Sequence, residues 1–242
     1  MKRLLFASDL DNTLIFSHKH SRPGDICVEW YEGREQSFMT PRAWELLQEA
    51  ASAVEFLPVT TRSVEQYRRI RLPVEPPRAI TTNGGILLQN GIPDAAWRME
   101  SQALAAPFQA EMERLSGELA KEPWCLRCKQ VDGLYLFAVC EGGPEAPAEA
   151  YRSRTGLTVE ASGRKLYLFP PGLDKGTALR RFSPPEIAAG DSTLDLPMLR
   201  AADTALVPCS GISGLSEGEN LRVCPKNRHF SEFVLEFVLS FS

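Results

Sequence analysis

The stretch "FASDLDNTLIF", residues 6–16, decides how this sequence is interpreted. An apolar run that begins at Leu4 leads directly into two acids, Asp9 and Asp11, which are one residue apart. A continuous apolar run is typical of a strand that is buried on both faces of a parallel sheet. Two carboxylates at the end of such a strand are costly to bury unless a cation neutralises them. The stretch therefore predicts a functional acid pair rather than two side chains that only cap a turn.

The composition is that of an ordinary globular protein. The chain has 242 residues, of which 43% are hydrophobic and 24% are charged. Its formal charge of −4 argues against a nucleic-acid surface, which needs a concentrated basic face. No apolar run approaches the roughly 20 residues of a membrane span, and the two early acids interrupt any signal-peptide core. We therefore expect a cytoplasmic protein with no nucleic-acid or membrane partner.

Strand-like and helix-like segments alternate along most of the chain, which is typical of an α/β fold with a parallel sheet. Thr40 and Pro41 have the residue types of an N-cap and a first helical position. Ser63 and Gln66 have the spacing of a capping box. The pattern predicts strands near residues 4–10, 54–61, 78–85, 186–192, 204–209 and 221–225, and helices at about 41–52, from 63, at 174–182 and at the carboxyl terminus.

Residues 86 to about 169 have a different pattern. An Asn-Gly pair at 90–91 is typical of a hairpin turn. A helical stretch precedes two strands, and a second helix precedes two more, so the region has one sheet and one helical layer and can bury a small core of its own. The predicted elements are a helix at about 101–121, strands at 124–131 and 134–140, a helix at about 144–155, and strands at 157–160 and 165–169.

Several polar motifs follow the predicted parallel strands. Because the carboxyl ends of such strands meet at one edge, we expect these motifs to converge there. Four carboxylates in one cleft would repel one another and raise their pKa values unless a cation neutralised them. Mg²⁺ fits such a site, since it binds through a few carboxylates together with substrate phosphate. The converging motifs are Asp9 with Asp11, Thr60-Thr61-Arg62, Asn83-Gly84-Gly85, Lys175, and Asp191 with Asp195.

A carboxylate nucleophile is suited to phosphoryl transfer. It accepts the phosphoryl group as an acyl phosphate and so divides one difficult displacement into two easier ones. A second acid two residues further along is in a position to protonate the leaving oxygen and then to deprotonate water. The Asp9 and Asp11 pair therefore predicts a phosphoryl-transfer site.

The motifs "DLDNT", "TTR", "DKGTAL" and "GDSTLDLPML", in this order, resemble those of the haloacid dehalogenase (HAD) superfamily of phosphatases. The long segment before the lysine motif resembles its cofactor-phosphatase branch, subfamily IIB, which includes sucrose-phosphate phosphatases. The resemblance covers nearly the whole chain. It implies a Rossmann-like catalytic core at 1–88 and 170–242, with an inserted α/β cap domain at 89–169.

The resemblance also implies roles for individual residues. Asp9 would be the nucleophile and Asp11 the general acid/base, while Thr60 and Lys175 would contact the transferring group and complete the catalytic set. Mg²⁺ would be bound by Asp9, by the backbone carbonyl of Asp11, and by Asp191 with support from Asp195. The expected substrate-binding positions are Asn12, Thr61, Arg62 and Asn83. The chain departs from the family pattern at Asn12 and Thr61, where the family usually has glycine, and at Leu194, where asparagine is common.

The favoured function is a Mg²⁺-dependent phosphatase that hydrolyses a small phosphorylated metabolite, a sugar phosphate or a related compound, through an aspartyl phosphate. A phosphomutase with the same chemistry is an alternative, and a non-catalytic binding protein on the same fold is another. The substrate and the oligomeric state are left open, because specificity depends on how cap residues such as Trp124, Tyr135 and Arg164 are placed.

Two further features have no assigned role. The segment 17–40 predicts a flap with a long hairpin, and we expect it to help select the substrate. Its basic residues His18, Lys19, His20 and Arg22 would either meet a second anionic group of the substrate or form a solvated loop. Cys125 and Cys128 have the spacing of a metal or redox pair, but no second pair completes a tetrahedral site. We interpret them as small, partly buried side chains.

Overall fold

The structure is a computed structural model and describes residues 3–215, 218 and 220–241. The strands, in chain order, are β1 (Leu5–Ser8), β2 (Phe16–Ser17), β3 (Ile26–Tyr31), β4 (Arg34–Met39), β5 (Glu55–Pro58), β6 (Arg78–Thr81), β7 (Ile86–Gln89), β8 (Ile92–Pro93), β9 (Cys125–Val131), β10 (Tyr135–Cys140), β11 (Thr158–Ser162), β12 (Lys165–Phe169), β13 (Ile187–Ala189), β14 (Thr204–Val207) and β15 (Leu221–Val223). The helices are α1 (Pro41–Ala53), α2 (Val64–Tyr67), α3 (Ala95–Ala105), α4 (Gln109–Leu119), α5 (Glu145–Arg152), α6 (Lys175–Phe182), α7 (Leu196–Leu199) and α8 (Phe230–Leu239), with short 3₁₀ turns at His18–His20, Thr82–Gly84, Ala106–Phe108 and Thr193–Asp195.

The central sheet has the strand order β15-β14-β13-β1-β5, and its strands are parallel. The chain leaves β1 toward β5 on one side and returns through β13 toward β14 and β15 on the other. The strand order therefore reverses between β1 and β13, which is where open α/β sheets bind their ligands. The predicted α/β class with a parallel core sheet is confirmed.

Helices cover both faces of this sheet because the side chains of each strand alternate in direction. Phe6 packs with α1 and α8, and its ring stacks on that of Phe56 at 5.6 Å. Leu5 and Ala7 point the other way and pack with α6 and α7. The N-cap at Thr40 and the capping box of Ser63 and Gln66 are confirmed.

Two predictions about the secondary structure are corrected. The strand at 78–81 pairs antiparallel with β7, in a separate sheet of order β6-β7-β8, and meets the central sheet through a parallel bridge of Val59 with Ile80. The helix predicted at 101–121 is two helices, separated by the 3₁₀ turn at Ala106–Phe108. Pro107 lies in that turn, and it lacks the N–H that a continuous helix would need.

A second sheet, of order β11-β12-β10-β9, is antiparallel throughout. Leu136 and Leu166 are fully buried in a core that includes residues of α4 and α5. The opposite face carries Tyr135, Phe137 and Tyr167, which line a cavity above the central sheet. The sheet therefore presents an aliphatic face to its helices and an aromatic face to the central sheet.

The segment 17–40 contains the predicted hairpin. β3 and β4 pair antiparallel around Glu32 and Gly33, both at positive φ, and β2 adds to β4. The register of β3 shifts on both sides of Glu29, so that both Val28 and Glu29 are buried. These shifts break the usual alternation and direct an acid toward the interior.

None of the helices in the described residues is long and apolar enough to cross a membrane.

Candidate active site

The acids of the first motif and of the last motif meet where the strand order reverses. Asp9 follows β1 directly, and its backbone N–H donates to the carbonyl of Ala189 at the end of β13 at 2.9 Å. Asp191 lies two residues beyond that strand. Asn12 and Asp191 both line the cavity at this junction. Two adjacent parallel strands thus bring together acids that are 182 positions apart in the chain.

Lys175 joins two of these acids. Its Nζ lies 2.6 Å from Oδ1 of Asp9 and 2.6 Å from Oδ1 of Asp195. The Lys175 and Asp195 side chains are 1% exposed and that of Asp9 is 8% exposed. Burial alone would lower the pKa of Lys175, but the negative charges of Asp195 and Asp9 outweigh it and raise the pKa above its usual range. Lys175 is therefore a fixed positive charge beside the predicted nucleophile.

Asp195 organises the loop that carries Asp191. Its Oδ2 accepts hydrogen bonds from the N–H of Asp191 at 3.1 Å, the N–H of Ser192 at 3.0 Å and the hydroxyl of Ser192 at 3.0 Å. Gly190 permits this packing, since a Cβ there would lie 2.4 Å from the Cβ of Asp195. Both oxygens of Asp195 are thus engaged by the protein, which fits a supporting position behind the site.

The acid cluster fits a bound divalent cation. Asp9, Asp191 and Asp195 each offer a carboxylate oxygen within 4.8 Å of the others. Burial, opposed by Lys175 and reinforced by the neighbouring acids, raises the pKa of Asp9 well above its ordinary value. Burial and then Asp195 raise the pKa of Asp191 to about 7. Acids that are this difficult to ionise gain most from a cation, so Asp9 and Asp191 are the residues placed to hold one.

Asp11 has a different environment. The guanidinium of Arg62 donates to both of its oxygens, at 2.8 and 2.7 Å. Burial acts to raise the pKa of Asp11, but the charge and hydrogen bonds of Arg62 outweigh it, so the pKa is lowered from its ordinary value. The Asp11 carboxylate is outside the cluster formed by Asp9, Asp191 and Asp195. The two acids of the first motif therefore have opposite pKa shifts, raised for Asp9 and lowered for Asp11.

The flap supplies a buried acid that sequence reasoning missed. Glu29 is 3% exposed, and its carboxylate lies 2.9 Å from Arg62 Nη1 and 3.2 Å from Arg69 Nε. It also accepts a hydrogen bond from the Ser37 hydroxyl at 2.7 Å. Arg62, predicted to bind substrate, is thereby held between Asp11 and Glu29. The pairing gives the flap a direct connection to the first motif.

The remaining predicted site residues fall into two groups. Asn12 and Thr61 line the cavity, and Asn12 adopts a φ of 58°, which asparagine tolerates better than most residues. Thr60 is fully buried, and its hydroxyl accepts the N–H of Arg62 at 3.1 Å. Asn83 is buried, and its amide donates to the carbonyl of Leu173 at 3.1 Å. Thr60 and Asn83 are outside the described lining of the cavity.

The cavity has a volume of about 590 Å³, which is in the size range of small-molecule sites. Its floor is formed by Asp9 and Asp191 of the acid cluster, with Lys175 and the Asp11–Arg62 pair. The antiparallel sheet closes the opposite side, and the hydroxyl of Tyr135 donates to the carbonyl of Thr61 at 2.7 Å. The cavity is therefore enclosed by the central sheet, the flap and the aromatic face of the antiparallel sheet.

Two other predicted features lie outside this cavity. His18, Lys19, His20 and Arg22 are absent from its described lining, which the flap enters through β3 and β4 instead. Cys125 and Cys128 are free thiols in β9 and also do not line it. The flap therefore contributes residues of its strands to the site rather than residues of its basic loop.

Comparison with known proteins places the fold. No protein-family model matches the chain, and a search of curated proteins returns no match. Solved structures do match. A sucrose-phosphatase from Synechocystis, solved with sucrose and phosphate, is 14% identical over 100% of this chain and 98% of its own, with a TM-score of 0.65. A trehalose-6-phosphate phosphatase related protein is 19% identical over 98% and 97%, with a TM-score of 0.59.

A haloacid dehalogenase-like hydrolase from B. subtilis is 16% identical, covers both chains completely and has a TM-score of 0.59. At these identities the likeness establishes the fold. The chain has the fold of the haloacid dehalogenase-like phosphatases, with a parallel core sheet and additional antiparallel sheets. The resemblance drawn from the four sequence motifs is thus confirmed for the fold.

Proposed function

We propose that this protein is a Mg²⁺-dependent phosphatase that hydrolyses a small phosphorylated metabolite through an aspartyl phosphate on Asp9. The observation that carries the proposal is the meeting of Asp9, Asp191 and Lys175 on the floor of one cavity. Solved proteins of the same fold include a sucrose-phosphatase and a trehalose-6-phosphate phosphatase from Aspergillus fumigatus. We therefore favour a sugar phosphate or a related polyol phosphate as the substrate.

The residues of the site divide the chemistry among them. Oδ2 of Asp9 is the nucleophilic oxygen, because Oδ1 is engaged by Lys175. Lys175 holds the nucleophile in place and offsets negative charge as the phosphoryl group arrives. Asp9 and Asp191 would hold a Mg²⁺ ion, which would supply further charge neutralisation at the phosphoryl oxygens. The backbone carbonyl of Asp11 completes the proposed ligand set, and Asp195 supports it from behind.

Asp11 is the proposed general acid/base. Its pairing with Arg62 keeps the carboxylate ionised, which suits the step in which it deprotonates water. The step in which it protonates the leaving oxygen needs a higher pKa. The negative charge of an incoming phosphate beside Asp11 shifts the pKa in that direction. The Arg62 contact is therefore expected to loosen when substrate binds.

The proposal includes the predicted division of the chain into a core, at 1–88 and 170–242, and a cap at 89–169. The antiparallel sheet and its helices contribute most of one hydrophobic core, which supports a separate unit. The same sheet covers the cavity, as a cap that selects substrate would. A cytoplasmic location and the absence of nucleic-acid and membrane partners are part of this proposal.

A phosphate-release screen over a panel of phosphorylated metabolites, with and without Mg²⁺, tests the proposal. We expect release that requires Mg²⁺ and that falls by about 10⁴-fold or more in Asp9→Asn. Asp203→Asn, an exposed acid before β14, is the matched control and should retain activity. Isomerised sugar phosphate without phosphate release would indicate a mutase. Phosphate release that persists in Asp9→Asn would refute the nucleophile assignment.

A further inference from the structure

The charges around the cavity are not all paired. Lys175 is neutralised by Asp9 and Asp195, and Arg62 by Asp11 and Glu29. Arg69 pairs with Glu29 and lies over the ring of Tyr31 at 4.4 Å. Arg164 and Lys165 also line the cavity, but neither forms an ion pair with the described residues. These two cations, next to each other in the chain, are therefore available to a ligand.

The antiparallel sheet fixes where Lys165 points. Lys165 lies opposite Val139 across the β10–β12 pair, so the two side chains share a face, and both line the cavity. Tyr167, two residues along β12, is on the same face and stands opposite Phe137. The Nζ of Lys165 lies 5.2 Å from the centre of the Phe137 ring and 5.9 Å from that of Tyr167. The ammonium thus lies among aromatic rings on the wall that faces the acid cluster.

Arg164 lies in the turn that connects β11 to β12. Its carbonyl accepts the N–H of Cys140 at 2.8 Å, which fixes the backbone of this exposed residue in the cavity lining. Lys165 is partly buried, and burial lowers its pKa from the ordinary value even though Asp11 acts in the opposite direction. An anion that binds beside such a lysine stabilises its charged form.

We propose that Arg164 and Lys165 bind a second anionic group of the substrate, a carboxylate or a phosphate, at the wall of the cavity that the antiparallel sheet forms. This inference rests on the proposed function, since it concerns the substrate of the same site. It predicts a substrate with one phosphate at the acid cluster and another anionic group across the cavity. In the sequence, His18, Lys19, His20 and Arg22 are candidates for contact with a second anionic group. We assign that contact to Arg164 and Lys165 instead.

The test compares aryl phosphates that differ only in the group para to the phosphate: a carboxylate, a phosphonate or a neutral carboxamide. We expect wild-type kcat/KM to be about ten-fold or more higher for a charged group than for the carboxamide. Arg164→Gln/Lys165→Met should remove that preference and leave the carboxamide rate within about three-fold of wild type. Lys129→Met, an exposed lysine of β9 outside the cavity lining, should keep the preference. The charged group that benefits more identifies the second anion.

Two results would overturn the proposed anion subsite. An equal loss on charged and neutral probes in the double variant would mean that Lys165 acts on Asp11 instead, and this would overturn the subsite. Binding of the matching benzylphosphonates, measured by calorimetry with Mg²⁺, separates the subsite from catalysis. If no probe is hydrolysed, the proposed phosphatase function fails for this class of substrate, but a charge preference in binding that the double variant abolishes would still support the subsite. Equal affinity for charged and neutral phosphonates would refute it.

Discussion

Replacing Lys175 with methionine removes a buried charge that lies between Asp9 and Asp195. Methionine has a similar length and is apolar, so the change removes the charge with little change in packing. Both carboxylates that lose their partner are more than nine-tenths buried. Breaking a buried ion pair in this way costs about 3–5 kcal/mol, because an uncompensated charge is left in the interior.

This loss in the free energy of unfolding can be measured as a decrease in Tm. In a chain of this length, about 1 kcal/mol corresponds to about 2–4 °C in Tm. The metal-free Lys175→Met variant should therefore melt about 6–20 °C below the wild type, and its kcat/KM should fall by about 10²-fold or more. Mg²⁺ should raise the Tm of the variant by more than it raises that of the wild type, since the ion replaces part of the missing positive charge.

A double-mutant cycle with Asp195→Asn separates charge from packing. Once Asp195 is neutral, loss of Lys175 leaves one fewer unpaired charge. The free energy of unfolding of the double variant should therefore fall by about 1–3 kcal/mol less than the sum of the single effects. Additive effects, or a Lys175→Met protein as stable as the wild type, would show that the buried ion pairs do not govern the stability of the site.

Three further predictions concern the pH dependence, the flap and the loop after β13. The pKa of Asp191 is about 7 in the folded protein against an ordinary value of 3.8, so the metal-free protein should lose stability as the pH rises from about 4 to about 7. Saturating Mg²⁺ should remove that loss. In denaturant titrations of the metal-free protein, a free energy of unfolding that does not change with pH would contradict the pKa shift. Glu29→Gln should reduce the free energy of unfolding by about 2–4 kcal/mol in urea titrations, since two guanidinium groups lose their shared acid, and wild-type stability would argue against this role for the flap. Gly190→Ala should weaken Mg²⁺ binding in calorimetry and cost about 1–3 kcal/mol of stability, because the new Cβ overlaps Asp195, whereas unchanged affinity would mean that Asp195 does not position the metal loop.

The sequence predicts the central sheet well because its signal is local. The apolar runs, the N-cap at Thr40 and the acids that follow β1 and β13 are properties of short segments. Parallel strands bring their carboxyl ends to one edge, so the convergence of Asp9 with Asp191 follows from the fold class alone. The floor of the cavity is therefore predictable from motifs and their order.

Other contacts depend on distant parts of the chain. Glu29 reaches Arg62 because register shifts in β3 bury an acid that regular alternation would have exposed. Asn83 adopts a φ of 55° in a 3₁₀ turn, and its amide donates to Leu173 rather than lining the cavity. A position at the end of a strand does not by itself determine which way a side chain points. The prediction that Asn83 contacts substrate therefore has no support from the cavity lining.

The C-terminal helix and the antiparallel sheet show the limits of periodicity. In the sequence, a stripe at helical spacing predicts the packed face of the C-terminal helix, and its members are Phe230, Phe233, Val234, Phe237, Val238 and Phe241. Of these, Val234 and Val238 are fully buried, as is Leu235 outside the stripe, whereas Phe241 is 55% exposed. A wide apolar face does not fix the rotation of a helix. In β12, by contrast, period-two alternation does place Lys165 with Tyr167. The sequence contains this alternation, but it indicates a contact with the site only once the structure shows that this face of the sheet covers the acids.

A crystal structure of the protein soaked with Mg²⁺ and beryllium fluoride tests the phosphoryl-transfer site most directly, because beryllium trifluoride bonds to a carboxylate as a phosphoryl group does. We predict beryllium on the carboxylate of Asp9, with Mg²⁺ coordinated by Asp9 and Asp191. Beryllium on a different side chain, or Mg²⁺ bound away from Asp191 in an ordered site, would contradict both the nucleophile and the metal assignment.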